Sequence, residues 1–175
     1  MATGTGIIAE AYLTGRTRRY AHGIVGDTIE ASGIRVLTSE GAILDVTLGP
    51  DSVFEDRLAR LADIDGDGVD DVIVVHTYLE RGAALAAYSV RAQQLVPLAE
   101  APPIGRPSRW LNPIGVADFA GDGAPEAATV ITPRIGGILK FYSMRGDMLV
   151  EEGAERGFSN HFIGSRALGL SAVFD

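Results

Sequence analysis

The chain of 175 residues has no cysteine and a single lysine, Lys140. Without cysteine there is no disulfide framework, no thiolate metal site and no thiol nucleophile, and the redox compartment is left open. The scarcity of lysine goes with a formal net charge of −8. That charge argues against a general nucleic-acid-binding surface, which would need clustered Lys and Arg. No apolar run approaches the roughly 18 residues of a membrane-spanning helix, so no membrane insertion is expected. The start, MATGTGIIAEAYL, lacks a basic segment followed by an apolar one, and no signal peptide is visible in it. His22, His76 and His161 show no zinc-ligand spacing, and neither a nucleophile elbow nor a P-loop occurs. GTGIIA lacks the third glycine and the preceding strand of a dinucleotide fingerprint.

What is present is a globular composition, 46% hydrophobic and 22% charged, long enough for one domain with a real core. The most distinctive stretch is DIDGDGVDD, Asp63 to Asp71, with five aspartates in nine residues. It has an echo. DFAGDGAPE begins at Asp118, 55 residues later, and Asp175 ends the chain another 57 residues on. Tyr88-Ser89 and Leu95-Val96 recur as Tyr142-Ser143 and Leu149-Val150 at a spacing of 54. A unit of about 55 residues is repeating, the signature of stacked modules.

Within each unit the apolar runs are short, partly β-branched or aromatic, and punctuated by Gly, Asp, Pro and Ser, which is the pattern of strands. One unit offers RLARLA, VIVVHTY, AALAAYSV and QLVPLA; the next offers PIGVA, AATVITP, ILKFYS and MLVEE. Four strands joined by tight turns describe an antiparallel blade. The expected fold is therefore all-β, a β-propeller or part of one, in a single domain. Three blades are expected near residues 19–56, 57–101 and 112–152, with the start of a further blade at 166–175. YAHGIV, GIRVLT and AILDVTL are the expected strands of the first blade, and IIAEAYL reads as an extra strand. The stop at Asp175, at the first position of another acidic loop, reads as truncation.

Numbered from Asp63, the loop has carboxylates at positions 1, 3, 5 and 9, namely Asp63, Asp65, Asp67 and Asp71, with Gly68 at position 6. Alternating oxygens on a tight turn can converge on one hard cation, and a glycine with positive φ aims the next carbonyl, Val69, inward. Two carboxylates about 5 Å apart repel by about 3 kcal/mol at an effective dielectric of ~20, and a divalent ion reverses that sign. Calcium suits a flexible cage of protein oxygens better than magnesium does. The sequence speaks against the nearest alternative, an EF-hand or dockerin loop, because position 12 is Val74 in a strand-like run rather than a glutamate before a helix. The second loop keeps Asp118, Asp122, the Ala124 carbonyl and Glu126 but has Ala120 at position 3, so weaker binding is expected there. GIVGDTIEA occupies the corresponding place in the first unit with Gly23 and Val25 at positions 1 and 3, and no metal is expected in it.

DIDGDGVDDVIVV and VADFAGDGAPEAATV resemble FG-GAP/VCBS repeats, the units of integrin α-type propellers and of many bacterial surface proteins. The resemblance implies a calcium loop between the innermost strand of a blade and the second. Its ligands would be Asp63, Asp65, Asp67, the Val69 carbonyl and Asp71, then Asp118, Asp122, the Ala124 carbonyl and Glu126. It also implies a place outside the cytosol: secreted, periplasmic or at the cell surface. A non-enzymatic scaffold binding a protein or glycan is the function it favours. A propeller-based polysaccharide lyase or hydrolase and a purely structural adhesin module are the alternatives. Outside the loops, RPSRWLNP offers Trp110 between arginines, either as an aromatic platform or, preferably, as packing between blades. Glu30, Asp45, Glu55 and Asp56 could pair catalytically, but scattered acids of this kind are expected to be solvated.

Overall fold

The computed structural model describes residues 1–133 and 136–173. Among them there is no helix; the chain is all-β, with thirteen strands. They form three antiparallel meanders. The first comprises β1 (Ala2–Thr3), β2 (Ile8–Thr17), β3 (Glu30–Thr38) and β4 (Ile43–Thr47), paired in that order. The second comprises β6 (Arg60–Ala62), β7 (Asp71–Tyr78), β8 (Gly82–Arg91) and β9 (Gln94–Glu100). The third comprises β10 (Leu111–Ala117), β11 (Glu126–Ile131), β12 (Ile138–Arg145) and β13 (Met148–Arg156). The short β5 (Ser52–Phe54) pairs with β7 and touches β3 at one residue pair, Ala31 with Phe54.

These pairings make one continuous curled sheet, but its joints are thin. Between β9 and β13 the link is a single parallel pair, Met148 with Glu100. What holds the meanders together is packing of their faces. Ile73 and Val75 of β7, with Ala83, Leu85 and Ala87 of β8, join Trp110, Leu111, Ala127, Tyr142 and Leu149 in one core. The alternate residues Val72, Val74, Ala86 and Tyr88 join Ile8, Ala11, Ile34, Val36 and Phe54 in another. The second meander is thus buried on both faces between the first and the third. That explains why VIVV is a continuous apolar run and not an alternating one. The small side chains of GAALAA let neighbouring layers approach.

The first meander departs from the sequence-based expectation in one respect. All of IIAEAYL but its first residue, Ile7, lies in β2, the first long strand of the meander and not an addition to it, whereas YAHGIV forms the irregular connection to β3. Aromatic and β-branched content suggested a strand, but no neighbouring strand pairs with residues 20–25 among the described residues. Residues 166–173 contain no strand either. They return toward the first meander, where Arg166 donates to Asp27 at 3.3 Å. Asp175 lies outside the described residues.

Candidate metal centre

Both acidic loops join the first strand of a meander to the second, and they fold alike. In the first, one Asp63 oxygen accepts from the N–H groups of Gly66 (2.7 Å) and Asp67 (3.2 Å), and the other from Gly68 (2.8 Å). In the second, Asp118 accepts from Gly121 (2.6 Å), Asp122 (3.0 Å) and Gly123 (2.8 Å) in the same pattern. Position 5 repeats too: Asp67 accepts from Val69 N–H and Asp122 from Ala124 N–H, each at 2.9 Å. Gly66 and Gly68 have φ of 76° and 83°, and Gly121 and Gly123 have 74° and 89°. A side chain at any of these four would be strained by its own backbone, which is why glycine recurs there. The loops are also neighbours, since a Cβ on Gly66 would lie 3.7 Å from Pro125.

Position 9 is the first residue of the second strand in each case. Asp71 is buried and accepts from Ile64 N–H at 3.3 Å; Glu126 is buried and accepts from Phe119 and Ala120 at 2.7 and 3.1 Å. Asp63, Asp65 and Asp71 present carboxylate oxygens all within 4.8 Å of one another. Burial, with Asp65 and Asp67 alongside, pushes the Asp71 carboxyl up to about 6. Crowded carboxylate oxygens on one tight turn are the donor set a hard cation fits. Asp67 is more exposed and stands outside that trio, and Asp70 is half-buried against Gly4. In the second loop Asp118 and Asp122 are exposed, and the hydrogen bonds from Gly123, Asp122 and Gly121 hold the Asp118 carboxyl below its ordinary range.

The sequence pattern did not reveal a cation already at the first loop. Arg91, at the end of β8, places a guanidinium nitrogen 2.5 Å from Asp65 and 3.6 Å from Asp67. It relieves part of the repulsion, and it opposes an incoming ion of the same sign. Arg91→Ala is expected to tighten calcium binding about ten-fold at low salt, with less gain at high salt as screening increases. Calorimetric titration at two ionic strengths checks this, and unchanged or weaker binding would show that Arg91 does not compete.

The corresponding stretch of the first meander has its own buried acid. GIVGDTIEA places Ala31 at position 9 when counted from Gly23, but β3 begins at Glu30, and Glu30 is the counterpart of Asp71 and Glu126. It is 2% exposed, and neither carboxylate oxygen has a hydrogen-bond partner. Burial, reinforced by Glu55, Asp27 and Asp56 and opposed by Arg57, pushes its carboxyl up to about 8. Glu55 and Asp56 are buried too, contrary to the expectation of solvated acids. Glu55 lies 2.6 Å from His22 Nδ1 and accepts from Thr77, while Asp56 pairs with Arg60 at 2.7 Å. Asp45 is the exception, exposed and paired with Arg35. Trp110 is 2% exposed and its indole N–H donates to the Glu55 carbonyl at 2.8 Å, so it packs between meanders and offers no platform.

Compared with protein-family models, with curated proteins and with solved structures, the chain matches none.

Proposed function

We propose that this chain is a calcium-stabilised repeat module of the FG-GAP/VCBS type, its three meanders serving as propeller blades and the whole as a non-enzymatic scaffold for a protein or glycan ligand. The observation that carries the reading is the superimposable hydrogen-bond pattern of two loops 55 residues apart in sequence, each at the same joint of its meander. Face-to-face stacking of four-stranded meanders supports the propeller part of it. Asp63, Asp65 and Asp71 would hold the ion, with Asp67 and the Val69 carbonyl completing its shell. Calcium contributes no chemistry in this role; it binds the folded loop and not the unfolded one, and so holds the strand joints in place.

Loop ranking tests the assignment. Asp65→Ala is expected to cost at least ten-fold in the tighter of two calcium affinities, whereas Ala120→Asp strengthens the weaker one by supplying the missing carboxylate. Calorimetry reads both; an Asp65→Ala variant that binds calcium as the parent does would refute the site. Ligand binding measured with calcium and with EDTA extends the test to the scaffold role, which calcium-independent binding would count against.

A further inference from the structure

The RPSRWLNP segment buries its tryptophan, yet its arginines face a cleft of about 520 Å³ between residues 101–109 and strands β12 and β13. Ile104, Tyr142, Met148 and Val150 contribute apolar walls, and the last two are 43% and 37% exposed. Arg106 and Arg109 border the same space, and among the described residues neither forms an ion pair. Lys140 and Glu151, also on the wall, are paired with each other at 2.6 Å and so cancel. Neither guanidinium has an acid to neutralise it, and Arg109 Nη1 donates only to the Ser108 carbonyl at 3.3 Å, so both charges are open to an anion entering the cleft.

The arginine segment is also built to stay in place. Gly105 N–H donates to Arg81 O at 2.7 Å, Ile104 N–H to Ala83 O at 3.0 Å, and Ala83 N–H to Arg109 O at 3.0 Å. Ser108 N–H donates to the Tyr20 hydroxyl at 2.7 Å. Gly82 is packed so closely that a Cβ there would collide with the Arg106 carbonyl. Among the described residues four non-glycine residues have positive φ. Ala92 and Gln93 are the two central residues of the β8–β9 hairpin, where such values are ordinary. Of the other two, Thr132 (46°) lines the cleft, and Ser108 (54°) lies in the chain between the two arginines that border it. Backbone strain of this kind concentrates where side chains are held for a ligand.

We infer that the cleft binds a small organic anion, an apolar body carrying a carboxylate head, with Arg106 and Arg109 receiving the head and the Met148–Val150 wall receiving the body. A cleft of a few hundred Å³ with apolar walls and few convergent polar groups is the usual form of a small-molecule site, and a guanidinium pair recognises a carboxylate geometrically as well as by charge. The site does not depend on the calcium loops. Calorimetry of the full chain with octanoate, 1-octanol and octylammonium tests it. Octanoate is expected to bind at least ten-fold more tightly than either analogue, in calcium and in EDTA alike. An Arg106→Gln/Arg109→Gln double variant should lose at least ten-fold in octanoate affinity while keeping its calcium-dependent melting. Octanoate binding that is absent at millimolar concentration, is matched by octylammonium or octanol, or is unchanged in the double variant overturns the assignment. Should the variant fail to fold, the three-ligand comparison on the unaltered chain still decides.

Discussion

Chelation with EDTA is expected to lower the melting temperature by roughly 5–10 °C relative to the chain in excess calcium. A ligand at about 100 times its dissociation constant stabilises the folded state by about 2.7 kcal/mol, and 1 kcal/mol moves the transition of a domain this size by about 2–4 °C. The structural reason lies in the first loop, where Asp63, Asp65 and Asp71 gather three carboxylates within 4.8 Å and Asp71 is almost wholly buried. Removing the ion leaves those charges to one another and to Arg91. Added calcium should restore the transition, and Asp63→Ala should remove most of its calcium dependence, leaving the smaller share of the second loop, because Asp63 also organises the backbone through Gly66, Asp67 and Gly68. A melting curve indifferent to EDTA would remove the basis of the calcium-scaffold reading.

The second large effect concerns Glu30, and it is one of pH. Its carboxyl titrates near 8 in the folded chain, against an ordinary value of 4.5. Between those values the native state holds a proton that the unfolded state has released, so stability falls as pH rises, and it levels off above about 8. From pH 6 to pH 8 the expected loss is about 2–3 kcal/mol, at ~1.4 kcal/mol per unit. Glu30→Gln should flatten that part of the profile and make the variant the more stable chain at pH 8. Denaturant unfolding in saturating calcium isolates the effect, since an ion bound at the first loop would keep the Asp71 carboxyl ionised across that range. Parallel profiles for parent and variant would mean that Glu30 gains a partner in solution.

Glu30 also shows where sequence reasoning stopped. The acidic loops were legible because their chemistry is local: each closes within nine residues, and glycine and aspartate are required there by backbone sign and side-chain reach. In the second and third meanders the strand runs were legible for a similar reason, being separated by short turns. The first meander has a connection of twelve residues, 18–29, between β2 and β3, and counting along it gave the wrong register by one. A one-residue slip exchanges an inward acid for its alanine neighbour. Arg91 was missed for a different reason: it comes from the next hairpin, 26 residues beyond Asp65, and charge pairing across strands leaves no periodic mark.

Thus the all-β character, the repeat length and the two candidate cation loops belong to the order of residues, because hydrophobic period, turn chemistry and ligand spacing are short-range properties. Stacking of the three meanders put Trp110 between layers, brought Arg106 and Arg109 to the border of a cleft, and buried Glu30, Glu55 and Asp56 together. Those outcomes depend on which faces meet, and face-to-face burial is chosen among contacts far apart in the chain that no local pattern records.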